Sequence, residues 1–272
     1  MGGLPVGVSP VCLGLVGDPR VVPAAFDAGV NFFFVTADMH WPLYEKLRRG
    51  LELLFERGGG VRDEVVVGVV SYVTQPEFCH APFHEVVAAI KGLERVDLAI
   101  AGGAYAADLL VRLGEYRAHQ PEREPASRAI GASFHDRRAG VLALNHGLID
   151  IGFLRYNPLH RGAEEEVFPQ LSKGSPALLY NFKSTHGYLS EPDSAALGLG
   201  PSHWRPHITD YYRYALSRPE MDGILCALNE PEQVTELIDA LERGALNEDQ
   251  TQYLNDLAEL ALGRASLATP PD

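Results

Sequence analysis

Cysteine is scarce. The 272 residues contain three, Cys12, Cys79 and Cys226, which are far apart, odd in number and match no zinc-finger spacing. A disulfide framework is excluded, and reduced thiols in a cytoplasmic protein are expected. Positive charge is also short: 23 Lys and Arg stand against 36 Asp and Glu, a formal charge of −13. So acidic a surface repels phosphate backbones and anionic lipid, so neither nucleic acid nor membrane is expected as a partner. No run of about 18 apolar residues is present to span a bilayer. The first residues lack a basic segment followed by a long apolar core, so no signal peptide is expected. What is present, 46% hydrophobic and 22% charged residues, is the mix of a soluble globule with a sizeable core, expected as one domain over 1–272.

Short runs rich in Val, Ile, Leu and Phe recur between longer amphipathic stretches. They are residues 12–16, 30–35, 64–70, 96–101, 129–133, 149–154, 177–180 and 223–228. None alternates cleanly, which predicts strands buried on both faces, as in a parallel sheet. Eight such runs separated by helical patterns predict an α/β fold, a (β/α)8 barrel, whose function sits on the loops after the strands. Helices are expected over 42–57, with Leu43, Leu47, Leu51 and Leu54 at near-helical spacing, and over 81–93, 232–241 and 247–262. Residues 120–127 and 184–207 read as irregular. The second stretch follows the seventh run and is expected to overhang the barrel mouth.

Six motifs in this order resemble the aldo-keto reductase superfamily, from about Cys12 to Leu257. They are Leu13-Gly-Leu, Ala25-Phe-Asp-Ala-Gly-Val-Asn-Phe-Phe33, Arg62-Asp-Glu-Val-Val-Val67, Ile130-Gly-Ala-Ser133, Tyr156-Asn-Pro-Leu-His-Arg161 and Glu230-Pro-Glu-Gln-Val234. The resemblance implies hydride transfer from NADPH to a carbonyl, with an Asp, Tyr, Lys and His tetrad supporting the proton delivered to oxygen. All four positions read as changed here. The Asp maps to Val35, or to Phe34 if the register slips by one. The Tyr maps to His40, the Lys to Val70 or Ser71, and the His to Gly102 or Gly103. The coenzyme positions change too. The pair that grips the nicotinamide amide maps to Ser133-Phe134, a Gln maps to Phe153, and a Gly-x-Arg phosphate turn maps to Ala227-Leu-Asn229. Ser133, Asn157 and Gln233 remain as residual coenzyme-binding positions. Leaving buried polar groups of a ligand unpaired costs about 1–3 kcal/mol each, so two such losses lower affinity by ~10²–10⁴-fold. Ordinary NADPH-dependent carbonyl reduction is therefore expected to be absent or severely weakened, and the resident cofactor is left open.

Histidines fall where strands are expected to end: His40, His80, His84, His135, His160 and His186, with His203 and His207 in the late loop. His40 stands at the inherited Tyr position, and its near-neutral pKa suits proton transfer, with Asp38 to orient it. Lys183 would supply a cation at the mouth. His80, His84 and His135 form a candidate metal set, because the i, i+4 pair suits a helical turn and imidazole suits Zn, Fe or Cu. The alternative for all of these is polar loop surface. Trp41, Phe78, Phe83, Tyr105, Phe134, Trp204, Tyr211 and Tyr212 would line an apolar cavity or pack loops onto the barrel. Residues His203 to Tyr214 could also form a face for a protein partner. Three functions stay open. One is a repurposed pocket, lined by histidines and aromatics, doing acid/base or metal-assisted chemistry on a small organic or peptide substrate. The others are a non-catalytic binding or scaffold protein, and a residual NAD(P)H-dependent oxidoreductase using His40.

Overall fold

A computed structural model of the chain describes residues 7–38, 40–118, 127–184 and 197–263. Eight strands are hydrogen-bonded in chain order and close into a barrel. They are β1 (Val11–Val16), β2 (Phe32–Thr36), β3 (Val66–Ser71), β4 (Val96–Ala104), β5 (Ser127–Phe134), β6 (Ile151–Arg155), β7 (Leu178–Phe182) and β8 (Gly223–Leu228). Every neighbouring pair is parallel, including β8 to β1, where Cys12 lies beside Leu225. These are the eight apolar runs of the sequence, with ends displaced by at most three residues.

The runs look continuous because each strand serves two cores. On β2, Phe32 and Phe34 point into the barrel, while Phe33 and Val35 point out to the helices. The pleat alternates side chains, and both sides are apolar. Inside, Phe32 meets Tyr180 edge-on with ring centroids 5.4 Å apart, and Phe34 meets Phe153 in the same way at 5.4 Å. This aromatic plug needs small neighbours. A Cβ on Gly223 would lie 2.2 Å from the Tyr180 ring and 2.6 Å from the Pro10 carbonyl oxygen.

The outer layer holds α1 (Val21–Asp27), α2 (Glu45–Phe55), α3 (Val61–Glu64), α4 (Ala81–Ala89), α5 (Ala106–Ala118), α6 (Arg137–Asn145), α7 (Ala163–Glu166), α8 (Ile208–Leu216), α9 (Glu232–Glu242) and α10 (Glu248–Ala261). Leu47, Leu51 and Leu54 are buried as their spacing predicts, but Leu43 is 61% exposed. It lies in a 3-10 turn, Trp41–Tyr44, with Pro42 at its start, so the α-helical phase begins only at Glu45. The helix expected over 81–93 stops at Ala89, where Ile90 is extended and Gly92 takes φ +86°. Asn247 caps α10: its side chain accepts from Gln250 N, and the Gln250 side chain accepts from Asn247 N. Most of the stretches 120–127 and 184–207, including His186, lies outside the described residues, although Ser127 opens β5. Residues 197–207 are turns and irregular chain.

At the N-terminal end of the barrel the carboxylate of Asp97, fully buried, is saturated. It accepts from Arg62 Nη2 at 2.7 Å, Arg95 Nε at 3.1 Å and the Val67 amide at 2.9 Å. This ties α3, β3 and β4 together and leaves the opposite, C-terminal end free for a site.

Candidate functional site: the cavity at the barrel mouth

A cavity of about 330 Å³ opens at the C-terminal ends of the strands. That is the small end of the range usual for small-molecule sites. Its apolar wall comes from Leu15, Phe34, Phe153, Phe182, Tyr212 and Leu225, and its polar groups from Tyr44, Tyr72, Ser133, His135, Lys183 and Ser184. No Asp or Glu lines it among the described residues, although the chain has 36.

His135 follows β5 directly, and its ring meets Phe182 edge-on at 5.7 Å. Partial burial, and then the cations Arg155 and Lys183, hold its imidazolium below the ordinary histidine pKa. The next residue, Asp136, is committed to capping α6, accepting from the amides of Arg138 at 3.0 Å and Ala139 at 3.2 Å. Lys183 is the one non-glycine residue with positive φ (54°) among those described. Asn157, buried at the end of β6, donates from Nδ2 to the Lys183 carbonyl at 2.7 Å. One residue on, Ser184 Oγ accepts from Asn181 Nδ2 at 2.7 Å. The loop is thus held from two strands in a conformation that L residues avoid.

The ends of β3 and β4 form the opposite wall. A Cβ on Gly102 would lie 2.7 Å from the Tyr72 ring, so the Gly102-Gly103 pair makes room for Tyr72 and not for extra cavity. Arg112, fully buried on α5, donates to the carbonyls of Ser71 at 2.6 Å and Gly102 at 3.0 Å and pairs with Asp108 at 3.0 Å. Asp38 accepts from the Tyr72 amide at 3.1 Å and approaches His40 Nδ1 at 3.3 Å. Burial, and then Asp38, raise the Tyr72 phenol above its ordinary pKa.

The sequence-predicted residues divide clearly. Lys183, Ser133 and His135 line the cavity, and so does Phe153. His40 does not line it; its ring packs 5.2 Å from Tyr72, which does. Of the tetrad positions, Val35 faces the helices and Val70 the barrel interior, while Ser71 is buried. Ser133 Oγ accepts from the Gly103 amide at 2.9 Å. Asn157 braces Lys183, and its Oδ1 accepts from the Leu159 amide at 3.0 Å. Gln233 Oε1 accepts from the Asn229 amide at 2.6 Å and the Glu230 amide at 3.3 Å.

His80 and His84 stand with ring centroids 6.0 Å apart. His135 is at the cavity rim, and no group of three or more His, Cys, Asp or Glu is placed to hold a metal ion among the described residues. Of the eight aromatics expected near a cavity, only Tyr212 lines it. Phe134 turns out to Gly140 of α6, because the pleat sends it away from the barrel when Ser133 faces in. Phe83 packs on Tyr116 at 5.1 Å, and Phe78 is 64% exposed. In the His203–Tyr214 segment, Thr209 to Ala215 are buried. Tyr214 stacks on Tyr156 at 5.3 Å and donates to Asn255 Oδ1 at 2.7 Å, so the helical half of the segment is core, while Arg205 and His207 before it are exposed. Tyr44, Tyr72 and Phe182 are cavity residues that sequence reading missed, and Phe34, the alternative tetrad position, also lines the cavity. A usable signal existed for Tyr72, a bulky residue just past β3 with two glycines at the end of the next strand.

These features define a (β/α)8 barrel with an aromatic-walled cavity at its C-terminal mouth. No family model matches the sequence, and no curated protein matches it. Among solved structures the chain is similar to the aldo-keto reductase AKR11C1 from Bacillus halodurans. With the holo form it shares 17% identity and a TM-score of 0.71, covering 96% of this chain and 95% of that chain. With the apo form the values are 16%, 0.69, 94% and 93%. At this identity the likeness establishes the fold: the barrel is of aldo-keto reductase type. No helix among the described residues is long and apolar enough to cross a membrane.

Proposed function

We propose that the mouth cavity carries acid–base chemistry on a small organic substrate, in place of hydride transfer from a nicotinamide coenzyme. The observation that carries this reading is the closed turn after β8. The amides of Asn229 and Glu230, where the resemblance places coenzyme phosphate, are taken by Gln233 Oε1, so neither the amides nor that oxygen is free for a ligand. Two further features agree. Phe153 offers an apolar face where a carboxamide needs a partner, and the cavity receives no Lys or Asp beside a tyrosine from the inherited positions. The residues present do not fit the coenzyme, and no step is routed through it.

What remains suits proton transfer. His135, kept neutral near pH 7 by its surroundings, is able to accept a proton from a bound substrate. Lys183 and Arg155 stand close enough to disfavour its charged form, and the same field stabilises an anion forming beside it. His40 and Asp38 act one layer back, through Tyr72. The test is a fluorescence titration with NADPH and NADH. Saturable binding is expected to be absent up to about 100 µM, in line with ~10²–10⁴-fold lost affinity. Submicromolar binding overturns the reading and restores an oxidoreductase, the function favoured by the barrel's likeness to AKR11C1.

A further inference from the structure

The cavity lining includes one lysine, Lys183, beside His135, and no carboxylate. Elsewhere arginines meet carboxylates: Arg57 with Asp27 at 2.6 Å, Arg62 with Asp97 at 2.7 Å, Arg137 with Glu166 at 2.8 Å and Arg161 with Glu259 at 2.9 Å. An excess of acids makes such pairing easy, and surface pairs of this kind are individually weak. Lys183 has no carboxylate within ion-pair distance among the described residues, a property shared by Arg48, Arg117 and Arg138; what sets Lys183 apart is that it lines a cavity in which no carboxylate stands beside it.

Lys183 is also placed deliberately. Its positive φ opposes folding by roughly 1–2 kcal/mol for an L residue. The bond from Asn157 Nδ2 to its carbonyl and the Asn181–Ser184 bond next to it hold the strained turn from two different strands. A residue that only decorated the surface would need neither strain nor brace; strain sustained by surrounding bonds is a mark of a working site. Below this cationic rim the wall turns apolar, with Phe34, Phe153 and Phe182 around a space suited to one ring and a short arm.

We infer that the cavity binds a small organic carboxylate, its apolar body among Phe34, Phe153 and Phe182 and its anionic group at the rim between Lys183 and His135. This rests on reading the cavity as a ligand site. It goes beyond that reading in naming the substrate class: a carboxylic acid with an aromatic or compact aliphatic body, not a neutral carbonyl compound. A carboxylate supplies the counter-charge that Lys183 lacks, and a charge-assisted hydrogen bond to such a group is about twice as strong as a neutral one.

The experiment titrates the intact protein, followed by NMR, with benzoate and phenylacetate and with their neutral counterparts benzamide and phenylacetamide. Lys183→Met is measured beside the wild type, with thermal unfolding to show that it is folded. The expected result is saturable binding of the acids, about tenfold tighter than the amides, and a loss of about tenfold in Lys183→Met for the acids only. Equal affinity for acids and amides, or an unchanged acid affinity in Lys183→Met, overturns the carboxylate assignment while leaving the cavity a ligand site. Absence of binding by all four probes overturns both, and NADPH displacing bound benzoate at micromolar concentration overturns the function proposed above. Should Lys183→Met unfold, the acid-to-amide ratio of the wild type decides alone.

Discussion

Two ends of one barrel treat charge in opposite ways. At the N-terminal end, Asp97 is buried and met by Arg62, Arg95 and the Val67 amide, so its charge is balanced within the fold. At the C-terminal end, Lys183 lines an apolar cavity with no carboxylate partner among the described residues. The backbone differs in the same sense. Asp97 belongs to a regular strand, whereas Lys183 sits at positive φ and is held there by neighbours. A charge answered within the chain holds the fold together; a charge kept unanswered at some conformational expense is available to a ligand.

The comparison breaks most visibly at Asp97. Asp97→Ala leaves the mostly buried Arg62 guanidinium without its anion and Arg95 with Asp63 alone, and denaturant unfolding at neutral pH should show a loss of about 3–5 kcal/mol. A loss below about 1 kcal/mol would place the Asp97 cluster with weak surface pairs. Next in size is the aromatic plug between the two ends. Gly223→Ala drives a methyl into Tyr180 and the Pro10 carbonyl and should lower stability by about 1–3 kcal/mol in the same measurement. Lys183→Gly sharpens the contrast, because it relaxes the strained turn. Stability should rise by roughly 1 kcal/mol while benzoate affinity falls about tenfold. A variant that loses stability would show that Lys183 contributes to the fold as Asp97 does.

The smallest effect concerns His135. Its folded pKa is depressed, first by burial and then by Arg155 and Lys183, so it is largely neutral at pH 7. Removing one cation in Lys183→Met should move that pKa up toward the ordinary value of about 6.5 in an NMR titration of the imidazole. A bound carboxylate beside His135 favours the imidazolium, so binding takes up protons. Benzoate affinity should therefore increase as the pH falls from about 8 to about 5.5, before benzoate itself is protonated.

The fold was legible because strands buried on both faces leave uninterrupted apolar runs, and eight of them with amphipathic spacers admit few architectures. The aldo-keto reductase motifs point to the same barrel type that AKR11C1 shares. The site was legible only where a residue's place does not depend on the pleat. Lys183 and His135 follow strands directly and reach the mouth. The choice between Phe34 and Val35 turns on a one-residue register, and so does that between Ser133 and Phe134; a slip of one sends a side chain to the other face. Phe34 and Ser133 face the cavity, while Val35 and Phe134 face helices. Tyr44 was hidden by the 3-10 turn that delays α2, and of the α8 tyrosines expected to line a cavity or pack loops, Tyr212 lines it while Tyr211 is buried outside it. The histidine pattern gave least. Strand-end position brought His135 to the cavity but left His84 exposed and His40 behind Tyr72.

The most direct measurement is a crystal soaked with 4-bromobenzoate, located by the anomalous signal of bromine. The bromine should lie among Phe34, Phe153 and Phe182, with the carboxylate within hydrogen-bond distance of Lys183. Bromine density confined to other surfaces, or a carboxylate turned away from Lys183, would contradict the assignment of this cavity to an organic anion.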